Sequence, residues 1–470
     1  MQSINEFMSE ISGFLWGWPM MILLLGTHIY LTIMLRFPQR KLWTAIKLSI
    51  KKDSNSKGDV SQFGALATSL AATIGTGNII GVATAVSLGG PGAVFWCWIT
   101  GVFGIATKYS EGLLAIKYRK RTPSGRMLGG PMYALDKGLN AHWLAVLFSV
   151  FTAVAAFGIG NTVQANAISE NIAILTEGTF DPIYVRVVVG VAIATMVGLV
   201  IFGGIKSIAS ICTKFVPLMS LFYVLGCIYI LCVNHSYIIE ALRLIISCAF
   251  SNQSIVGGAI GSTVMAAARF GIARGLFSNE SGMGSAPIVA AAAQTRNPVR
   301  QALVSSTGTF WDTVVICAMT GLVIVTSILA YPEIDYQDGG LLTKEAFARI
   351  PVIGTPILTI GIITFAFSTI LGWCYYGERA VEYLSSRRGV NIYRVFWVGA
   401  IVLGSIMSLG LVWNIADIMN ALMAIPNLVS LLLLSGVISR ETKYYLWGNR
   451  LEESSEENSA DGIAEGEEEK

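Results

Sequence analysis

The sequence predicts an all-α, polytopic membrane protein, and three observations predict it. Hydrophobic residue types make up 54% of the 470 residues and charged types only 13%, whereas a soluble globular protein carries about 25% charged residues. The apolar residues fall into eleven runs, and each approaches the roughly 20 residues that a helix needs to span a bilayer. Lys and Arg concentrate in alternate loops between these runs. An ordinary cytosolic protein and a disordered one are both excluded.

The eleven apolar runs are the predicted membrane spans. They are residues 14–35, 63–88, 93–114, 143–168, 184–202, 211–233, 255–272, 304–330, 357–376, 392–412 and 415–438. The first run lacks a basic leader region and a small-residue cleavage site, and it is long enough to span. We therefore interpret it as a retained helix rather than as a signal peptide.

The loops predict the orientation in the membrane. Residues 36–62 carry seven Lys or Arg side chains and residues 116–140 carry six, whereas loops of the opposite parity are richer in acid. The positive-inside rule therefore places the N-terminus outside and the C-terminus inside, in agreement with an odd number of helices. We expect residues 1–440 to form the transmembrane domain. The acidic residues 441–470 are expected to form a disordered cytoplasmic tail.

Two spans are interrupted by residues that disfavour a helix. The first interruption is Gly75-Thr76-Gly77-Asn78, in the second run, and the other covers residues 268–287, at the end of the seventh run. With the first helix set aside, each interruption lies in the first helix of a group of five, residues 63–233 and residues 255–438. Since five is odd, the two groups have opposite topology, which is typical of transporters with inverted repeats and discontinuous helices.

The interruptions suit ligand binding. The N-terminus of a half-helix offers N–H groups and a positive dipole end to an anionic group, and carbonyl oxygens released from the helix suit a hard cation. The alternative is that the glycines simply allow close packing between helices.

Several motifs resemble those of a known family. They are NIIGVATA (78–85), GGPGAVFW (89–96), KYSEG (108–112), GPMY (130–133), RGLFSNESGMGSAP (274–287), GTFWDT (308–313) and GWCYYGER (372–379). In order and spacing they resemble the alanine or glycine:cation symporter family, the bacterial and archaeal sodium:alanine symporters, from about residue 14 to residue 440.

The resemblance implies a LeuT-type fold with a 5+5 inverted repeat, one extra N-terminal helix and about eleven transmembrane helices. It also implies sodium-driven import of small neutral amino acids, alanine and glycine, through the plasma membrane of a prokaryote, which in bacteria is the inner membrane. Na⁺ is then the co-transported ion, and no organic cofactor is expected.

The same resemblance implies a site, because residues 75–78 match the LeuT-type pattern Gly-x-Gly-Asn. By that match, the N–H groups of Thr76 and Gly77 hold the substrate carboxylate. Thr73 and Gly75 line the amine side, and Asn78 completes the motif. The implied sodium ligands are the carbonyl groups of Ala71, Ile74 and Phe365 and the hydroxyl groups of Ser368 and Thr369.

Three further side chains are candidates for substrate contact, and each has a structural alternative. The amide of Gln164 can bond both the carboxylate and the ammonium of an amino acid, or it can tie two helices together. Phe270 and Trp373 either close the side-chain pocket and keep it small or belong to the packed core.

Ionisable residues near the spans give further hypotheses. Asp312 is the lone acid deep in the eighth run, and an acid within a membrane is a functional hypothesis by default. It either pairs with Arg269 or Arg274 or takes part in a proton or cation step. A group of charged residues near the cytoplasmic helix ends is interpreted as an ion-pair cluster that stabilises a gate, and its members are Lys108, Glu111, Glu280, Glu378 and Arg379.

Other classes of protein need patterns that the sequence does not contain. A channel would use a filter-like repeat, an intramembrane enzyme a nucleophile with a base or clustered metal ligands, and an ATP-driven pump a Walker A motif. We therefore expect a secondary symporter with no catalytic residues. Proton coupling, and less readily passive facilitation, remain the alternatives to sodium coupling. The protein is expected to function as a monomer in the bilayer and not to bind nucleic acid.

Overall fold

The computed structural model describes residues 2–51, 53, 56–251, 264–334, 339–385, 387–407 and 410–455. Within these residues the protein is almost entirely helical, as predicted. A short antiparallel hairpin is formed by β1 (Lys120–Arg121) and β2 (Met127–Leu128), in which Lys120 lies opposite Leu128.

The first part of the chain forms twelve helices. They are α1 (Gln2–Leu15), α2 (Trp18–Met34), α3 (Leu42–Ile50), α4 (Gln62–Thr73), α5 (Ile80–Gly89), α6 (Gly92–Lys117), α7 (Pro131–Tyr133), α8 (His142–Phe157), α9 (Val163–Leu175), α10 (Pro182–Ile201), α11 (Gly204–Val233) and α12 (Ile238–Phe250).

The described residues after 263 form nine more. They are α13 (Val264–Asn279), α14 (Ala286–Ala290), α15 (Pro298–Thr309), α16 (Ala318–Ala330), α17 (Gly339–Ala348), α18 (Gly354–Leu384), α19 (Arg387–Ile406), α20 (Gly410–Leu433) and α21 (Ser435–Glu441). Wider π-helical segments occur at Ala134–Gly138, Gly158–Thr162, Phe310–Cys317 and Thr442–Trp447, and 3₁₀ turns occur at Pro38–Lys41, Thr76–Asn78 and His235–Tyr237.

Helix starts follow ordinary capping chemistry. The Ser61 hydroxyl accepts the N–H of Gly64 at 3.0 Å where α4 begins. At the start of α15, Asn297 Oδ1 accepts the N–H of Arg300 at 3.0 Å, and a proline occupies the first helical position. Side-chain oxygens at these positions satisfy N–H groups that have no partner inside the helix.

Many helices suit a bilayer. Among the described residues, eight helices are long and apolar enough to cross a membrane, or nine if the bent pair α4–α5 counts as one span. Large apolar side chains such as Leu199, Leu218 and Val395 are exposed on the outside of these helices, a surface suited to lipid. The predicted count of eleven spans, the 5+5 repeat and the orientation of the termini remain predictions. The start of the seventh predicted span lies outside the described residues, and the rest of it falls in α13.

The interrupted helices lie at the centre of the bundle, where α13 packs on α6 and α18 packs on α4. Close backbone approach makes this packing possible. A Cβ added to Gly372 of α18 would lie 2.6 Å from Ala72 Cβ, and one added to Gly275 of α13 would lie 2.2 Å from the Thr100 hydroxyl. Glycine at such contacts lets helices pack through short-range dispersion contacts, as is common in membrane proteins.

The packed chain continues past the predicted domain boundary at residue 440. Thr442 and Leu446 are each only 1% exposed, and Asn297 Nδ2 donates to the carbonyl groups of Leu451 and Glu453. Apolar side chains and backbone carbonyls beyond residue 440 thus find partners in the helical domain, and the bounds of the domain and of the tail stay a prediction. Residues 456–470 lie outside the described residues.

Candidate functional site

The first interruption separates α4 from the segment Thr76–Gly89, and the two directions differ by 63°. In a continuous helix the N–H of Gly75 would donate to the carbonyl of Ala71. It donates instead to Asn78 Oδ1 at 2.9 Å. The side chain of Asn78 thus ends α4 and releases the Ala71 carbonyl from the ladder of helical hydrogen bonds.

The two N–H groups that are predicted to bind the substrate carboxylate, those of Thr76 and Gly77, have different surroundings. The N–H of Thr76 donates to Gln164 Oε1 at 3.3 Å, and Gln164 Nε2 donates to the carbonyl of Ile159 at 3.0 Å. Gln164 therefore ties two elements together, which is the alternative role that the sequence allowed for it. The N–H of Gly77 has no hydrogen-bond partner among the residues that the structure describes.

The predicted sodium ligands lie where α18 crosses the first interruption. The Thr369 hydroxyl is 3.2 Å from the carbonyl oxygen of Ile74 and 3.0 Å from that of Phe365. The Ser368 hydroxyl donates to the same Phe365 carbonyl at 2.9 Å. Ala71, the remaining predicted ligand, is fully buried in the last turn of α4. The structure thus gathers oxygen atoms, the ligands that hard cations prefer.

The carboxylate of Asp312 bonds to Asn78 of the first interruption and does not pair with an arginine. Its Oδ1 accepts Asn78 Nδ2 at 2.7 Å, and its Oδ2 accepts the hydroxyls of Ser278 at 3.1 Å and Thr313 at 2.7 Å. The side chain is 0% exposed. Asn78, which ends α4, is therefore itself held by a buried carboxylate from the π-helical segment that follows α15.

The predicted pairing of Asp312 with Arg269 or Arg274 is wrong, because both arginines lie elsewhere. Together with Phe270 and Phe277 they line a pocket between α1, α13 and α20. Phe270, which was expected either to close the side-chain pocket or to belong to the packed core, lines this pocket as well, and it is the ring of Phe277 that approaches Gly77. Ring atoms of Phe277 lie 3.5 and 3.7 Å from the position that a Cβ on Gly77 would occupy.

Phe277 could not be chosen from the sequence. It lies seven residues after Phe270, so both rings project from the same side of a helix. What distinguishes Phe277 from Phe270 is that it lies closer to the end of α13 at Asn279. The sequence predicted that this interruption starts at residue 268, whereas the helix continues to residue 279.

Trp373 is fixed in position. Its Nε1 donates to Glu280 Oε1 at 3.0 Å, and the side chain is 1% exposed. A Cβ added to Gly160, in the π-helical segment before α9, would lie 2.2 Å from Trp373 Cβ. The ring therefore links α18 to the second interruption and packs directly against the backbone near Gln164.

The second interruption covers residues 280–285, between α13 and α14. Gly282 and Gly284 have φ values of 90° and 84°, which glycine adopts without steric cost. Their N–H groups both donate to Glu111 Oε1 at 3.0 Å, and Asn427 Nδ2 donates to the same oxygen at 2.8 Å. A carboxylate on α6 thus stabilises the non-helical backbone of the second interruption.

The predicted ion-pair cluster forms only in part. Arg394 makes a bidentate ion pair with Glu378, with distances of 2.6 and 2.8 Å, and Arg379 pairs with Glu382. Glu111 and Glu280 instead bind groups of the second interruption and of Trp373. The sequence reveals their charge but not that backbone N–H groups would satisfy Glu111 and that a hydroxyl and an indole N–H would satisfy Glu280.

Comparison with known proteins places this arrangement in a family. The sequence matches the model of the sodium:alanine symporter family over residues 1–459. The chain belongs to this family. The resemblance inferred from the motifs is thereby confirmed, and the protein is a multi-pass membrane protein of an amino-acid symporter family.

Relatives in the sodium:alanine symporter family match over nearly their whole length. The sodium/alanine symporter AgcS of Methanococcus maripaludis is 49% identical over 448 residues, which cover 94% of this chain and 97% of the relative. An uncharacterized transporter of Haemophilus influenzae is 51% identical over 449 residues, which cover 94% and 96%.

A solved structure supports the LeuT-type fold. The crystal structure of MhsT in complex with L-phenylalanine superimposes with a TM-score of 0.59 and 12% sequence identity, over 84% of this chain and 95% of MhsT. At this identity the likeness concerns the fold alone.

Proposed function

We propose that the protein is a sodium-coupled symporter that imports alanine and glycine across the inner membrane of a prokaryote by alternating access. One observation carries the proposal: the N–H of Gly77, unpaired among the described residues, and the carbonyl of Ile74, which the Thr369 hydroxyl of α18 approaches at 3.2 Å, belong to the same interruption. An anion donor and a cation-binding group thus lie on one short stretch of backbone. The family match and the name of the AgcS relative support this assignment.

The substrate carboxylate binds at the start of α5. Gly77 contributes a free N–H, and the positive end of the α5 dipole points the same way. The N–H of Thr76 joins it when Gln164 Oε1 turns away, and the Gln164 amide then faces the substrate. Because an amide both donates and accepts, Gln164 can serve the carboxylate or the ammonium group after this exchange.

Sodium binds between α4 and α18. The carbonyls of Ile74 and Phe365 already approach the Thr369 hydroxyl within 3.2 Å. The Ala71 carbonyl, released where α4 ends, and the Ser368 hydroxyl complete the predicted set. The bound ion replaces the hydrogen bonds of these hydroxyls and draws α18 and the first interruption together.

Two aromatic rings limit the size of the substrate. Phe277 covers Gly77, and Trp373 is held by Glu280 and packed against Gly160. A ring fixed in this way cannot turn aside for a large side chain without breaking a buried hydrogen bond, which costs about 1–3 kcal/mol. A hydrogen atom or a methyl group fits this limit best, and this favours glycine and alanine.

Proton coupling is the second candidate, and Asp312 favours it. This buried acid receives hydrogen bonds from the neutral groups of Asn78, Ser278 and Thr313. Gain or loss of a proton at Asp312 would change its hold on Asn78 and therefore the shape of the first interruption.

Uptake by proteoliposomes tests the function. Labelled alanine and glycine should accumulate when a sodium gradient is imposed, and excess lysine or glutamate should not compete. Equal accumulation with a proton gradient in the absence of sodium would replace sodium coupling by proton coupling. No accumulation with either gradient would contradict symport itself.

Replacing Thr369 tests the sodium site. Thr369→Ala removes the hydroxyl that contacts both carbonyls, so the sodium concentration for half-maximal uptake should rise roughly tenfold, or about 1.4 kcal/mol. Preference between alanine and glycine should stay unchanged. Thr364→Ala is the matched control, because that hydroxyl bonds to the Ile360 carbonyl of its own helix. Wild-type sodium dependence in a variant that lacks both the Ser368 and Thr369 hydroxyls would exclude this site.

A further inference from the structure

A basic pocket of about 850 Å³ lies between the hairpin β1–β2, the turn between α10 and α11, and the adjoining ends of α18 and α19. Its charged lining residues are Asp59, Arg126, Lys206, Arg379 and Arg394. The loop charges predict that these segments face the cytoplasm. The volume is within the roughly 300–1,000 Å³ that is typical of small-molecule sites, so the basic pocket has room for a molecule larger than a single ion.

The arginines of the basic pocket have more donors than their partners use. Arg394 makes its bidentate pair with Glu378. Arg126 and Arg379 both pair with Glu382, so two carboxylates serve three guanidinium groups. Arg379 is only 8% exposed, and its buried Nε has no hydrogen-bond partner among the described residues. A buried donor without an acceptor is costly, and this wall of the pocket therefore favours an anion.

Further donors come from the start of α11. Lys206 is exposed and forms no hydrogen bond or salt bridge with any residue that the structure describes. The backbone N–H groups of Gly204, Ile205 and Lys206 also lack a partner among those residues, as is usual for the first turn of a helix. Asp59, the acid of the lining, already accepts the N–H of Met127 at 3.0 Å. Free N–H groups and the positive end of the helix dipole suit a phosphate group.

An apolar surface adjoins the basic pocket. Phe202 and Val395 line the pocket and are 56% and 64% exposed. Val395 also lines an apolar groove of about 660 Å³ that extends along α19 as far as Leu403. A soluble anion would use the basic pocket alone, whereas a phospholipid would use both, with its phosphate in the pocket and an acyl chain in the groove. Basic pockets between transmembrane helices on the cytoplasmic side are suited to anionic headgroups.

We propose that the basic pocket and this groove bind an anionic phospholipid of the cytoplasmic leaflet. Its phosphate accepts hydrogen bonds from the start of α11 and from Arg379 Nε, and Lys206 neutralises its charge. One lipid molecule thereby joins α11, α18 and α19. Such binding requires neither substrate nor sodium, so it is independent of the proposed function.

Lipid binding to the purified full-length protein tests the headgroup site. Protein in micelles of a neutral detergent is titrated with dioleoyl phosphatidylglycerol or dioleoyl phosphatidylcholine, and the mass of the intact complex counts the bound lipids. Phosphatidylglycerol, which has a net negative charge, should bind roughly fivefold more tightly or better. Lys206→Gln should weaken its binding roughly fivefold, the effect of one cation near a membrane surface, and Lys206→Arg should keep it. Lys214→Gln is the matched control, because it removes an exposed lysine of the same helix outside the pocket.

Filling the groove tests the place of the acyl chain. Gly399 lines the groove, and an added Cβ there meets nothing within 4 Å. Gly399→Trp should therefore fold, and it should weaken phosphatidylglycerol binding several-fold. Gly26→Trp is the matched control, because Gly26 of α2 is equally free of neighbours and lies outside the groove. Without added lipid, both variants should unfold near the wild-type temperature.

Three results would overturn the proposal. The first is wild-type binding of phosphatidylglycerol by Lys206→Gln. The second is binding of sn-glycerol 3-phosphate, a soluble headgroup analogue, as tightly as the lipid and without any effect of Gly399→Trp, which would make the ligand a soluble anion. A chain that ends after residue 455 should bind phosphatidylglycerol as the full chain does. The third is a gain of roughly tenfold, about 1.4 kcal/mol, in that shortened chain, which would identify the acidic residues 456–470 as the occupant of the pocket.

Discussion

The two glycines of the first interruption have different roles at the scale of single residues. A Cβ on Gly75 would lie 2.6 Å from the Thr369 hydroxyl, whereas a Cβ on Gly77 would meet the Phe277 ring at an ordinary 3.5 Å. Gly75 has φ −136°, so its backbone conformation suits any residue. Contact with the predicted sodium ligand, rather than backbone strain, is therefore what requires glycine at 75.

Alanine substitutions should separate these roles. Gly77→Ala should fold, and its binding of alanine should fall more than tenfold, which is over about 1.4 kcal/mol, because the new methyl group occupies space beside the carboxylate donor. Glycine binding should fall less. Gly75→Ala should instead raise the sodium requirement, since the methyl group displaces the Thr369 hydroxyl. Sodium-dependent binding of both amino acids to purified protein measures each effect.

Gly81 supplies the control for these substitutions. An added Cβ there meets nothing within 4 Å, and the residue lies on α5, close to both glycines. Gly81→Ala should keep wild-type binding of alanine, glycine and sodium. If Gly77→Ala also binds both amino acids like the wild type, the carboxylate does not lie at Gly77.

At the scale of elements, a carboxylate supports each interruption. Asp312, after α15, holds Asn78 of the first interruption, and Glu111, on α6, holds the N–H groups of Gly282 and Gly284. In the predicted repeats, α6 and α15 are the second helices of the two groups of five. Each group would then stabilise the irregular backbone of the other, which is necessary because lipid cannot satisfy free backbone groups.

Removing the Glu111 carboxylate should therefore destabilise the second interruption. Glu111→Leu leaves the buried N–H groups of Gly282 and Gly284 without an acceptor, at about 1–3 kcal/mol each in the usual case, whereas Asn427 Nδ2 keeps its bond to the Gly282 carbonyl. We expect a lower thermal unfolding temperature and loss of transport. Glu111→Gln keeps an oxygen whose two lone pairs can accept both N–H groups, so it should remain near the wild-type temperature. Equal unfolding temperatures for the two variants would show that the accepted hydrogen bonds do not matter.

At the scale of the whole molecule, the end of the chain ties distant segments together. Glu452 lies 2.9 Å from a guanidinium nitrogen of Arg300, which is 1% exposed, and 3.5 Å from one of Arg296. Both arginines also pair with Asp53, at 2.8 Å for Arg296 and 3.7 Å for Arg300. Asp53 lies in the loop before α4, so the C-terminal segment links the start of α15 to the loop that leads into α4 and the first interruption.

Two truncations measure what this link contributes. Ending the chain after residue 448 removes Glu452 and leaves Arg300 with one fewer counter-charge, so the thermal unfolding temperature should fall by several degrees. Ending it after residue 455 keeps every described contact and is the matched control, with an expected temperature close to that of the full chain. If the two truncated proteins unfold at the same temperature, the segment 449–455 contributes nothing to stability.

The pH dependence of this link follows from the pKa of Glu452. Partial burial raises that pKa, but the hydrogen bond from Lys51 and the charge of Arg300 lower it further, so it lies below its ordinary value of 4.5. A lowered pKa means that docking is complete at neutral pH and is lost as the pH falls through the lowered value. A spin label at Ser454→Cys should become more mobile only in that acidic range. Mobility that rises between pH 8 and pH 6, in the range where histidine titrates, would contradict this.

The sequence by itself determined the class of the protein and the location of its first interruption. Apolar runs and loop charges identify a polytopic helical protein because the bilayer demands long, apolar helices. The run Gly75–Asn78 identifies the first interruption, and long motifs identify the family, which the family match confirms. The Thr369 hydroxyl lies beside the Ile74 carbonyl, and Phe365, Ser368 and Thr369 share one side of α18 because they are three and four residues apart. Their role as sodium ligands stays a prediction.

Only the tertiary structure decided which side chains meet across helices. Asp312 bonds to Asn78 rather than to an arginine, and Phe277 rather than Phe270 covers Gly77. Helical periodicity determines the side of a helix on which a residue lies. It does not determine which residues of a neighbouring helix lie at the same height in the bundle, and these are the residues that it can contact. The role of Glu111 was hidden for a related reason. Two of its partners are the backbone N–H groups of Gly282 and Gly284. Every residue except proline carries such a group, so no sequence pattern marks the ones that packing leaves free.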